Sequence, residues 1–206
     1  MKSKRADNCS ENGNEPSKVT TMGSEKEAGN DGALQSSELM QLFLNELKAV
    51  YWAEHALVEA LPNIIKNASS QELINVLTYH LTETAAQIGR LEEVFESIGK
   101  TISGVKCATI DGLLEDIETT LKDYRKGTML DAGIILAVQK IEHYEVVSYG
   151  TLRQYAVTLG LDEAEALLEA TLDEEKAAND RLTSIAVESV NIEASEKELM
   201  KAQDIR

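Results

Sequence analysis

Aromatic residues make up only 4% of this 206-residue sequence, and prolines number two. β-branched runs are sparse as well, and Ala, Leu, Glu and Lys dominate its middle. These shortages exclude a strand-rich fold and favour helices. Cysteine is nearly missing too. Cys9 lies in a polar stretch, Cys107 lies in a connecting segment, and neither belongs to a C-x-x-C or Cys/His cluster. Two such thiols exclude a disulfide framework and read as unpaired groups in a reducing compartment. Basic residues are outnumbered 36 to 20, for a formal net charge of -16. That surface repels phosphate backbones and excludes general nucleic-acid binding. No apolar run approaches the roughly 20 residues of a membrane helix. The basic start, Met1-Lys2-Ser3-Lys4-Arg5, is not followed by the apolar stretch of a secretory signal. The expectation is a soluble cytoplasmic protein with no membrane partner.

What is present is a set of long helical patterns. Residues 1–36, rich in Ser, Asn, Gly, Glu and Lys, read as a disordered N-terminal extension. Ser36-Ser37-Glu38 offers a helix start, and a first helix is predicted from there to about Leu61, with Pro62 as its end or a kink. A second is predicted over Ser70 to Ile98, stopped by Gly99, and a third long one over Leu130 to Leu159, stopped by Gly160. A fourth runs from Asp162 to about Val190, which closes the folded domain at 37–190 and leaves 191–206 as a polar tail, helical only in part. Short turns join the first and last helix pairs, which predicts two antiparallel hairpins. The crossover between them, Lys100 to Lys126, carries a short helix over about Ile110 to Tyr124 opened by Asp111. Two hairpins linked by one long crossover predict an all-α, ferritin-like four-helix bundle.

The apolar stripes carry unexpected charges. The first helix reads Phe43, Leu47, Val50, Glu54, Leu57, Leu61 along one face. The third long helix reads Ile135, Val138, Glu142, Glu145, Tyr149, Leu152, and the fourth reads Leu168, Leu172, Glu175, Asn179, Leu182, Ala186. The second helix gives Ile74, Leu77, Leu81, Thr84, Ile88, Leu91, Phe95, with His80, Glu83 and Gln87 along one edge. A single glutamate on such a stripe is more often an edge residue reaching water. Four at core positions need neutralising, and no Lys or Arg shares those positions; Arg90 on the second helix is the nearest. Metal ions supply the charge, and an oxygen-rich set suits iron, manganese or magnesium. Glu54 precedes Glu83 by 29 residues and Glu145 precedes Glu175 by 30, and an amide follows each second member by four, Gln87 and Asn179. That spacing suggests a duplicated hairpin around a pseudo-twofold centre.

Several segments carry a family resemblance. They are Tyr51-Trp52-Ala53-Glu54, His80 to Thr84 with Gln87 and Arg90-Leu91-Glu92, Lys106-Cys107 with Gly112-Leu113, Glu142-His143-Tyr144-Glu145 with Ser148 to Leu152, and Leu172 to Lys176. The chain resembles the YciF/YciE family of bacterial stress proteins, a ferritin-like domain similar to rubrerythrins. The resemblance covers about residues 37–190 and implies a centre of two metal ions, iron or manganese. It implies Glu54, Glu83, Glu142, Glu145 and Glu175 as carboxylate ligands. Gln87, Tyr149 and Asn179 are candidate outer partners, and His80, one turn before Glu83, is a candidate for ligation or an outer hydrogen bond. The Glu-x-x-His pairs of di-iron bundles are absent, since Ala86 and Ala178 stand three residues after Glu83 and Glu175. His55 and His143 fall off the stripes, which places them at the surface. The expected function is a di-metal stress protein reacting with peroxide or oxygen. The alternative is a metal-binding or purely structural bundle without turnover. Fold analogy adds a homodimer as the expected assembly.

Overall fold

A computed structural model describes residues 37–204, and side chains within that span up to residue 197. The extension at 1–36 lies outside the described residues. Helix α1 is Glu38–Asn67, α2 Gln71–Ser97, α3 Ala108–Asp123, α4 Thr128–Leu159 and α5 Asp162–Ile185. A π-helical turn, Ala186–Val190, joins α5 to α6, Asn191–Asp204. No strand occurs among the described residues. The fold is the ferritin-like bundle that the connection lengths imply: hairpins α1–α2 and α4–α5, with α3 in the crossover.

Local signals set most boundaries. The hydroxyl of Ser37 accepts from Met40 N at 3.1 Å to cap α1, and that of Ser70 accepts from Leu73 N to cap α2. Gly99 (φ 63°) follows α2 and Gly160 (φ 69°) ends α4, both in the left-handed conformation that favours glycine. Two expectations need correction. Pro62 lies inside α1, which runs on to Asn67. The proline removes the bond to the Val58 carbonyl, but Leu61 and Ile64 on either side are buried in the core and hold the last turns in place. Helix α3 begins at Ala108, so Asp111 sits in its first turn rather than opening it. In the tail, where partial helix is expected, the helix spans Asn191–Asp204.

Contacts between elements give the directions. Asp131 at the start of α4 accepts from Ser69 N at 2.7 Å, from Ser69 Oγ at 2.5 Å and from Ser70 N at 3.0 Å in the α1–α2 turn. The beginning of α4 therefore meets the end of α1, and the two run antiparallel. Between α2 and α5, Glu83 meets Arg181, Gln87 meets Glu175 and Arg90 meets Thr171, so this pair is antiparallel too.

The core divides along the bundle axis. One apolar cluster includes Phe43, Leu47, Leu91, Phe95, Leu152 and Leu168. Another, toward the α1–α2 turn, includes Leu61, Ile64, Leu77, Ile134, Val138 and Leu182. A third, with Ala53, Leu57, Cys107, Ile110 and Ile141, lies beneath α3. The layer between the first two is polar.

Candidate metal centre

That polar layer is built from the midpoints of four helices. Glu54 of α1, His80, Thr84 and Gln87 of α2, Glu142 and Glu145 of α4 and Glu175 of α5 are all buried, none more than 3% exposed. Each follows the apolar stripe of its helix, so the packing that buries Leu57, Leu77, Val138 and Leu182 carries these polar groups inward with them. His80, Glu142, Glu145 and Glu175 each offer a ligand atom, and these atoms lie within 4.8 Å of one another. Glu54 lies beside this group. Its Oε1 accepts from the Tyr149 hydroxyl at 2.5 Å, and its charge is felt by Glu142 and Glu145.

The electrostatics follow from burial. Burial pushes the carboxyls of Glu54, Glu142 and Glu145 well above the usual range, and repulsion from neighbouring carboxylates adds to it. Glu175 is raised to about 7, chiefly by burial, with the neighbouring Glu142 carboxyl and the Gln87 amide holding it down. The same burial, with the charge of Arg181, lowers His80 to about 4. Tyr149 is raised strongly by burial and by Glu54. Even so, many polar atoms have no hydrogen-bond partner: Oε2 of Glu54 and of Glu175, both carboxylate oxygens of Glu145, Oε1 of Gln87 and Nδ1 of His80. Oε2 of Glu142 is also unpartnered, while its Oε1 faces Nε2 of His80 at 3.2 Å.

The residues singled out from sequence divide accordingly. Glu54, Glu142, Glu145 and Glu175 come together, with Tyr149 and Gln87 against them. His80 belongs to the ligand-capable group itself. Glu83 does not join. It lies on the flank of α2, where Arg181 Nη2 donates to its Oε2 at 2.6 Å. Asn179 is half-buried and accepts from Gln139 Nε2 at 3.3 Å, away from the cluster. His55 is exposed, and exposed His143 uses Nδ1 on the Gln139 carbonyl.

A shift in register explains Glu83. A single offset of 91 residues relates Glu54 to Glu145, Glu83 to Glu174, Thr84 to Glu175, Gln87 to Ala178 and Arg90 to Arg181. The structure obeys it reciprocally, because Glu83 pairs with Arg181 and Glu174 pairs with Arg90. The counterpart of Glu175 on α2 is therefore Thr84, and at this position the pseudo-twofold centre has a carboxylate on only one side. Matching Glu83 with Glu175 from spacing missed this by one residue. Three pairs at the common offset (Glu54 with Glu145, Glu83 with Glu174, Arg90 with Arg181) were the signal that would have found it.

A family model described as Domain of unknown function (DUF892) matches residues 38–195, most of the chain. The chain belongs to this family. Protein YciF of Escherichia coli (strain K12) is 39% identical over 157 residues, which are 76% of this chain and 95% of that protein. The crystal structure of the E. coli stress protein YciF superposes with a TM-score of 0.72 at 38% identity, covering 75% of this chain and 98% of that one. YcfI from Rhodopseudomonas palustris gives a TM-score of 0.70 at 42% identity, covering 73% and 96%. In this DUF892 chain the buried His/Glu group is a place that can hold a metal ion. No described helix is long and apolar enough to cross a membrane.

Proposed function

We propose that this bundle is a di-metal carboxylate protein of the stress-protein kind named for its E. coli relative, reacting with peroxide or oxygen. The observation that carries the reading is four glutamates, each no more than 1% exposed, whose oxygens lack enough partners in the core. Unpaired buried carboxylates cost several kcal/mol each or take up protons. Ionised, the four carry four negative charges, which two divalent cations balance and one does not. The donor chemistry fits. Carboxylate oxygens with one imidazole suit iron or manganese, whereas magnesium and calcium prefer oxygen alone and soft thiolate-seeking metals find no sulfur in the cluster.

His80, Glu142, Glu145 and Glu175, with Glu54 beside them, would hold the ions. When bound, redox-active ions supply the electrons for reducing an oxidant. The chain's own groups supply the rest. The apolar clusters above and below exclude water, Tyr149 orients Glu54 through its hydroxyl, and Gln87 orients Glu175 through its amide.

Metal content measured after anaerobic loading with Fe²⁺ or Mn²⁺ tests the reading. Two ions per chain and peroxide consumption by the loaded protein support it. Two ions without consumption leave a metal-binding bundle. No bound ion, with unchanged thermal stability, sinks it and leaves a structural bundle.

A further inference from the structure

The seams around the centre are not alike. Helix α3 seals the α1–α4 side with Cys107, Ile110 and Leu113 over Ala53, Leu57 and Ile141. The α2–α5 seam is polar from the surface to the centre. Arg90 holds Glu174 with a two-pronged contact, Nη1 to Oε2 at 2.9 Å and Nη2 to Oε1 at 2.8 Å, and its Nη1 also donates to Thr171 at 2.6 Å. Arg181 holds Glu83 at 2.6 Å and lies over the Tyr79 ring, 4.9 Å from its centroid. Glu83 feels the charge of Glu174, and both act on Glu175.

Gln87 connects the two levels. Its Nε2 donates to Oε2 of Glu174, whose side chain is 30% exposed, at 3.1 Å, and also to Oε1 of buried Glu175. The residue is 1% exposed, and its Oε1 has no partner. A half-turn of that amide would replace the donor between the two carboxylates with an acceptor, the chemistry a passing cation needs.

We propose that the α2–α5 seam is the uptake route for divalent cations, with Glu83 and Glu174 receiving the ion and Gln87 passing it to Glu175. Arg90 and Arg181 are the barrier. Each neutralises one outer carboxylate and sets a positive charge on the path, so an ion advances only when an arginine releases its glutamate. The reciprocal pairing of Glu83 with Arg181 and Glu174 with Arg90 makes the barrier two-sided. This inference rests on the metal reading above.

The test is stopped-flow loading of the full chain with Co²⁺. Quenching of Trp52, the single tryptophan, reports the rate, and metal analysis after desalting reports the endpoint. Arg181→Ala and Arg90→Ala are expected to load about 10-fold faster, and the pair Glu83→Gln with Glu174→Gln about 10-fold slower. All should finish at the wild-type stoichiometry. Arg90→Lys and Arg181→Lys, milder changes that keep charge but lose the fork, should fall between. Glu165→Gln breaks the Arg153–Glu165 pair at 2.9 Å on the α4–α5 side and should load at the wild-type rate. Wild-type rates in the seam variants, an equal slowing in Glu165→Gln, or a lower endpoint in the seam glutamate variants would overturn the route. Failure of the wild type to take up Co²⁺ overturns this inference and the metal reading together, whereas uptake at unaltered rates overturns the route alone.

Discussion

Nε2 of His80 stands 3.2 Å from Oε1 of Glu142, yet the two groups do not form an ordinary ion pair. Burial lowers the histidine to about 4 and pushes the glutamate up. Without metal, burial favours the neutral imidazole and the neutral carboxyl over the charged form of each. A cation reverses both pressures, because it favours the carboxylate and uses the neutral imidazole as it is.

These shifts make the stability of the metal-free protein depend on pH. Folded Glu54, Glu142, Glu145 and Glu175 have raised values, Glu175 moving from the ordinary 4.5 to about 7. Such groups contribute stability that is full below 4.5 and is lost as pH rises through the folded value. His80 opposes them, since its lowered value favours the folded state as pH rises from about 4 to 6.5. One proton on His80 is set against several on the glutamates, so the carboxyls prevail. Thermal melts in chelator should show the midpoint falling between pH 5 and pH 8, by about 5–10 °C. Saturating Mn²⁺ should flatten or invert that slope. A chelated midpoint that rises across the same range would contradict the assignment.

Replacing a carboxylate with its amide separates its two roles. Glu145→Gln keeps the shape of a group with two unpartnered oxygens and removes its charge. The chelated protein should be at least as stable as wild type, with a shallower pH slope. Metal affinity should fall more than about 100-fold, beyond the roughly 10–100-fold typical of an outer partner. Calorimetric titration with Mn²⁺ beside chelated melts makes the comparison. Affinity within 10-fold of wild type would remove Glu145 from the ligand set.

Asp131 is buried with no part in the centre. Three hydrogen bonds converge on its carboxylate from Ser69 and Ser70, tying the start of α4 to the turn that opens α2. Asp131→Ala should cost about 1.5–3 kcal/mol, the range for hydrogen bonds to a charged group. Its melting midpoint should drop by about 5–10 °C with metal stoichiometry unchanged. Denaturant unfolding gives the free energy, and a loss below about 0.5 kcal/mol would mean that water replaces the contact.

How much of this was legible in the sequence depends on what each helix buries. In α1 and α4 the glutamates interrupt strong apolar stripes, so Glu54, Glu142 and Glu145 stand out against Leu57 and Val138. In α2 the inward face itself is polar at His80, Thr84 and Gln87. Hydropathy then selects Ile74, Leu81 and Ile88, which are half-buried, and the reading of the face turns by about one position. Asp131 was invisible for another reason. An acidic residue in a helix's first turn is ordinary, and its partners belong to a turn some sixty positions earlier. The helix ends at Gly99 and Gly160 were readable because a left-handed residue at a helix end favours glycine. Pro62 misled because a proline's local penalty says nothing of the core contacts around it.

Thr84 offers the strictest check on the pseudo-twofold arrangement. It occupies the position on α2 that Glu175 holds on α5, is buried, and spends its hydroxyl on the His80 carbonyl at 2.9 Å. Thr84→Glu would place a fifth carboxylate in the centre and complete the symmetric pattern. Without metal this adds another desolvated acid and a larger side chain to a packed layer. The chelated protein should lose about 1–3 kcal/mol from overpacking and show a steeper fall with rising pH. With metal the new oxygens face the ion beside Glu54, the side with fewer charged donors. The stabilisation conferred by saturating Mn²⁺ should therefore exceed that of wild type, and the weaker of two binding steps should tighten by about 10-fold, worth roughly 1.4 kcal/mol. Thr84→Gln, similar in size and uncharged, should show the overpacking loss without the gain. If both variants lose metal affinity equally, position 84 does not face the second ion, and the 91-residue correspondence stops at the outer arginine–glutamate pairs.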